Sequence, residues 1–180
     1  MTDVAQSFLA GAIARMQGIK ALGDGVLRQV SAEQLFHRSD ADANSVAIIV
    51  RHLHGNMLSR WTDFLKTDGE KSSRTRDLEF EQPQSSPEQI SELWQQGWDC
   101  TLNALTSLQP DEVLCEVQIR GQPLTVMDAI LRQLAHYSYH VGQMVTLARD
   151  QLGDRWQTLS IARGKSEDYK PVKRAGGIRE

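Results

Sequence analysis

The stretch Leu134-Ala-His-Tyr-Ser-Tyr-His-Val-Gly-Gln143 sets the reading of the whole chain. Around it Val126, Ile130, Leu134, Tyr137, Val141, Met144, Val145 and Ala148 recur every three or four positions, the pattern of an amphipathic helix. Thr125-Val-Met-Asp128 supplies its cap and Leu152-Gly153 its stop. On such a helix His136 and His140 lie one turn apart on one face, so both imidazoles reach the same point. That is the spacing of a helical metal clamp. Imidazole suits zinc, nickel, copper and iron, and two histidines need a third ligand to hold a divalent ion firmly. The chain offers His37, His52 and His54. An isolated pair of this spacing more often marks histidines near a core, hydrogen-bonded to neighbours, so the rest of the chain has to decide.

Working back from this helix, a small extended pair is expected between Val113 and Leu124, where Cys115, Val117 and Ile119 alternate before Arg120-Gly-Gln-Pro123. A helix precedes it. Ser86-Pro-Glu-Gln89 is a capping box with proline at the first helical position, the apolar residues run from Ile90 to Leu108, and Gln109-Pro110 stops them. Before that lies a charged link, 67–85, too long for an antiparallel bundle turn. It follows another helix carrying Val46, Ile49, Val50, Leu53, Met57, Trp61 and Phe64, expected to start near Asn44 and end near Lys66. The first helix runs from Val4 to Val30, with Gly18, Gly23 and Gly25 predicting a bend or a close approach in its second half. Ser31-Ala-Glu-Gln34 reads as the start of a short turn.

Four long amphipathic segments with a long link between the second and third predict an all-α fold, an up-down-down-up four-helix bundle whose middle helices run parallel. With 180 residues, 40% hydrophobic and 24% charged, one domain over 1–164 followed by a loose polar tail over 165–180 is expected. The net charge of −3 argues against a nucleic-acid binder. No stretch approaches the roughly 20 apolar residues of a membrane span and the N-terminus has no signal pattern, so a cytoplasmic protein is expected. Cys100 and Cys115 lack the spacing of a metal ribbon and read as free thiols.

Helix geometry places a third ligand. Each residue advances about 100° around a helix, which puts His136 and His140 roughly 80–120° to one side of the apolar stripe, beside Gln133 and Gln143. On the second long helix His52 falls roughly 120° to the same side, with Asn56, and His54 about 80° to the other. Closeness to the apolar centre favours His54, whereas sidedness favours His52. A site between two helices lies on a flank, so sidedness decides, and a pocket of His52, His136 and His140 fringed by Asn56, Gln133 and Gln143 fits both patterns. No carboxylate lies on either histidine stripe.

At these residues the chain resembles the DinB/YfiT-like superfamily of candidate metalloenzymes. Val50-Arg-His-Leu53 and His136-Tyr-Ser-Tyr-His140 carry the likeness. A branch of uncharacterised bacterial proteins is similar at Gly55-Asn-Met-Leu-Ser-Arg-Trp61, Asp68-Gly-Glu-Lys71, Arg76-Asp77, Gly142-Gln143 and Leu159-Ser-Ile-Ala-Arg-Gly164, with Ala162 where proline is expected. The resemblance implies a three-histidine site, here His52, His136 and His140, in an up-down-down-up bundle that is often dimeric. It also implies a metal-activated nucleophile, a low-molecular-weight thiol in some relatives, with hydrolases among others.

Three neutral imidazoles leave a divalent ion its charge and an open position, so a water or thiol could be activated near neutral pH. A protease of the HExxH type is excluded, because Tyr137 follows His136. Two function classes result. One is a metal-dependent transferase, with a thiol as partner, or a hydrolase, acting on a small molecule. The other is a non-catalytic metal-binding or stress-related dimeric bundle. Zinc or nickel suits the site best, with manganese and iron also compatible. A substrate pocket of roughly 300 Å³ or more beside the histidines separates the two classes. Arginines of the 68–77 segment and Arg163 could bind an acidic substrate, and ligation should weaken as pH drops through roughly 6. Trp61, Trp94 and Trp98 exceed what a thin bundle seam needs, which predicts a symmetric homodimer.

Overall fold

The computed structural model describes residues 2–168, so the part of the expected loose tail beyond 168 lies outside the described residues. The chain is mostly helical. α1 is Thr2–Leu27, α2 Ala32–Phe36, α3 Val46–Trp61, α4 Pro87–Ser107 and α5 Val126–Leu152, with one hairpin of β1 Glu116–Ile119 and β2 Gln122–Thr125. Each long helix after the first starts on a hydroxyl cap. Ser45 accepts from the Ile48 amide, Ser86 from Gln89 and Thr125 from Asp128, while Pro87 opens α4 without wasting an amide hydrogen. Ser31 caps the short α2 through a capping box.

The four long helices touch in cyclic order, α1 to α5, α5 to α3, α3 to α4 and α4 to α1. The α3–α4 interface is the most extensive, and glycine makes it close: a Cβ at Gly97 would sit 3.3 Å from the His54 Cα and 2.9 Å from the Met57 sulfur. Two glycines of α1 serve the same end. A Cβ at Gly23 would lie 2.2 Å from the Trp94 ring and one at Gly25 2.5 Å from Leu159, so close approach explains these two, whereas a Cβ at Gly18 would meet nothing within 4 Å. Leu159 and Trp156 pack back on the core, whereas Ile161 is exposed.

Two expectations need correction. α3 ends at Trp61 rather than Lys66, because Asp63 takes a positive φ of 48° and Lys66 closes a turn on the Asp63 carbonyl instead of continuing the helix. The tryptophans offer no dimer surface either. Trp61, Trp94 and Trp98 are at most 3% exposed within this one chain, so they fill its own core.

The link between α3 and α4 crosses the outside of α3 and is pinned along its length. Asp68 accepts from the amides of Glu70, Arg120 and Gly121, and the Gly69 amide donates to the Gln118 carbonyl. The hairpin turn that Asp68 holds has positive φ at both Arg120 and Gly121, the twist that suits a two-residue connection. Farther on, a 3-10 turn over Arg76–Phe80 is held on α3 by Arg51, which donates to the carbonyls of Leu78 and Glu81. Among the described residues no helix is long and apolar enough to cross a membrane.

Candidate metal centre

α3 and α5 run side by side, and each turns one polar flank toward the other. His52 projects from α3, His136 and His140 from successive turns of α5, and one nitrogen from each lies within 4.8 Å of the others. The imidazole rings meet edge to face, with centroids 4.7–5.2 Å apart. His52 and His140 are 3% and 8% exposed, and His136 is half-buried. His54 stands elsewhere, against α4 beside Gly97, and His37 is exposed at the end of α2.

The hydrogen bonds behind the rings fix which nitrogen faces inward. His52 Nδ1 lies 2.9 Å from Glu79 Oε2, and a carboxylate only accepts, so Nδ1 carries a proton and Nε2, which is bare when the ring is neutral, points into the cluster. His140 Nδ1 lies 2.9 Å from Gln143 Oε1, with the same outcome. His52 Nε2 and His136 Nε2 are 3.2 Å apart. Two imidazoles on one tetrahedral zinc would hold their nitrogens roughly 3.3 Å apart, from bond lengths of about 2.0–2.1 Å. Inward lone pairs at that spacing fit a divalent cation, and the cluster could hold a metal ion. His136 Nδ1 is buried without a hydrogen-bond partner among the described residues.

Electrostatics keep the His136 and His140 rings neutral. His136 is pushed down to about 3 by burial, then by repulsion from His140, His52, Arg60 and Arg74. His140 is lowered to about 4, by burial first and by His52 next, against the opposing Gln143 hydrogen bond. Burial would raise Glu79, but hydrogen bonds from Arg74 and His52 outweigh it and hold the carboxyl below its ordinary value. Arg74 grips both Glu79 oxygens, Nε to Oε1 at 2.7 Å and Nη2 to Oε2 at 2.8 Å. The resulting line from imidazole through carboxylate to guanidinium is the arrangement that orients metal-binding histidines.

A model of the DUF1572 family, described as proteins of unknown function, matches residues 3–165. The chain belongs to the DUF1572 family. No functionally curated protein matches it.

In this DUF1572 chain the three fringe residues divide. Gln143 touches a cluster histidine, whereas Asn56 and Gln133 bond each other and the Tyr137 hydroxyl. That hydroxyl also accepts from Trp61 Nε1, which makes Tyr137 a polar hub rather than a mere member of the apolar stripe. Burial raises its phenol to about 12. Glu79 and Arg74 are the residues that reading helix faces missed: neither histidine stripe carries a carboxylate, but the crossover brings one. Phe80, from the same turn, packs its ring 4.7 Å from His52. The cluster opens on a cleft of about 400 Å³ bordered by the three histidines, Asn56, Gln133 and several arginines. Arg163 lies in an exposed turn outside that border.

Proposed function

We propose that this DUF1572 protein is a metal-dependent enzyme of the DinB/YfiT-like kind, with His52, His136 and His140 holding a divalent cation and a small molecule entering the cleft beside them. The cyclic packing of α1, α5, α3 and α4 supports the up-down-down-up bundle that this reading requires. One observation carries the proposal: the inward nitrogens open on a cleft of about 400 Å³, within the range of ligand pockets. A plugged site would have favoured metal storage or a purely structural bundle.

The cation, zinc or nickel by preference, would supply Lewis acidity that activates a water or a low-molecular-weight thiol near neutral pH. The chain's own residues do the rest. Glu79 and Gln143 hold the Nδ1 protons of His52 and His140, which keeps the opposite nitrogens available. Phe80 and Tyr137 fence the rings with apolar surface, so charge in the cleft is screened less than in bulk water. A thiol transferase and a hydrolase are the two reaction classes this arrangement serves.

Elemental analysis of protein purified without added metal is the test. About one zinc or nickel per chain is expected, lost with His52→Ala and with His140→Ala. The metal-loaded protein would then be assayed for thiol addition to electrophiles and for ester or amide hydrolysis. Absence of stoichiometric binding by any divalent ion would sink the proposal.

A further inference from the structure

The cleft above the histidines is bordered by five arginines, Arg60, Arg74, Arg76, Arg120 and Arg132, and by no carboxylate. Two of them are committed. Arg74 grips Glu79, and Arg60, 6% exposed, donates to the Gly69 carbonyl and to Glu70 Oε2. The other three come from separate elements and stay exposed. Arg132 is on α5 one turn before His136, so it shares the histidine face, and its guanidinium has no hydrogen-bond or ion-pair partner among the described residues. Arg76 lies over the Phe80 ring at 4.9 Å, and among the described residues its only ion-pair partner is Asp77 at 3.8 Å, itself 98% exposed. Arg120, at the hairpin tip, reaches Glu70 at 3.1 Å, but that carboxylate already serves Arg60 and lies 3.7 Å from Arg74.

A chain of net charge −3 therefore concentrates positive charge at one mouth. Exposed guanidinium groups rimming a concave site attract and orient oxyanions, because their paired N–H groups match carboxylate and phosphate oxygens. We infer that the substrate is a small organic oxyanion, a carboxylate or a phosphomonoester, whose charged end is bound by Arg132, Arg76 and Arg120 while its other end faces the three histidines. The cleft's volume of about 400 Å³ suits a metabolite-sized molecule rather than a polymer. This inference deepens the enzymatic reading and rests on it for the reactive centre, but the arginine rim can be tested apart from the metal.

Isothermal titration of inorganic phosphate, of succinate and of neutral succinamide into zinc-loaded and chelator-stripped protein provides the test. Arg132→Gln and Arg76→Gln, both at exposed positions, are the variants, with zinc content measured in each. Phosphate or succinate should bind and succinamide should not, and the tighter of the two anions identifies the headgroup. Each variant should weaken anion binding about tenfold, as expected for loss of one charge-assisted contact, with zinc content unchanged. If neither anion binds, or if the double variant binds as tightly as the parent, the arginine rim is not a substrate site. Arginine-dependent binding that persists in stripped protein supports the rim even if the metal reading fails, since that failure would show separately as missing zinc.

Discussion

Replacing Glu79 probes the part of the site that lies outside both histidine helices. Glu79 is 8% exposed, accepts from His52 at 2.9 Å and is held by Arg74 at 2.7 and 2.8 Å. In Glu79→Gln an amide oxygen can still face His52 Nδ1, but the amide nitrogen then confronts the donors of Arg74, which keeps only Glu70 at 3.7 Å. Removing one partner of a buried ion pair costs about 3–5 kcal/mol, and the retained acceptor puts the expected loss for metal-free protein near the lower end, about 3 kcal/mol. Losing the carboxylate behind a ligating histidine typically weakens metal binding about 10–100-fold.

The two effects separate experimentally. At fixed free metal well above Kd, a thirtyfold weaker site lowers the ligand's contribution to stability by about 2 kcal/mol. For a chain of this size that corresponds to about 4–8 °C in melting temperature. Thermal melts of parent and Glu79→Gln, each with zinc and with chelator, should thus differ in chelator and differ by a further 4–8 °C or so in zinc. Equal chelator-induced drops in the two proteins would refute the role given to Glu79 and leave it as a structural partner of Arg74 alone.

Three further outcomes are expected. His52→Ala should abolish stoichiometric metal binding, whereas His54→Ala should retain it and change stability by about 1 kcal/mol or less; metal content of both variants decides, and the reverse pattern would move the site to the other flank. Metal-free protein should lose stability as pH falls from about 6.5 toward 3–4, because His136 and His140 have folded values of about 3 and 4, so the unfolded chain binds more protons across that window. Protons then compete poorly for these two rings, and dialysis should find zinc retained below pH 6, the value an ordinary histidine would suggest; half-loss above pH 6 would contradict the electrostatics. Tyr137→Phe removes the acceptor of Trp61 Nε1 and should cost about 1–3 kcal/mol in urea unfolding, a loss below about 0.5 kcal/mol showing that water takes its place.

What could be read from sequence was whatever repeats with a helix. Ser86-Pro87, Thr125 and Gly153 mark helix ends by local chemistry, and the structure ends its helices there. The flank argument set His52 beside His136 and His140, where its ring stands, because rotation per residue is independent of what surrounds a helix. Glu79 has no such period. It sits in a single 3-10 turn placed by contacts far away in the chain, Arg51 on the Leu78 and Glu81 carbonyls and Gln82 on the Phe36 carbonyl. The tryptophans misled for a related reason: counting aromatic residues says nothing of how much volume neighbouring glycines open for them, and Gly23 opens it for Trp94.

The crossover is better understood as a wall of the site than as a lid over it. From Asp68 to Glu79 its acids and bases alternate in contact: Asp68 binds the hairpin turn, Glu70 binds Arg60, Arg74 and Arg120, and Arg74 binds Glu79, which binds His52. A cation drawn to His52 would favour the neutral, Nδ1-protonated ring that Glu79 requires, so occupancy and crossover position reinforce each other. That coupling reaches Arg120 and Arg76, which ride on the same segment or are tied to it. The rim that would gather an anion is thus built on the element that orients the histidine, and metal loading should steady the anion-binding arginines without touching them.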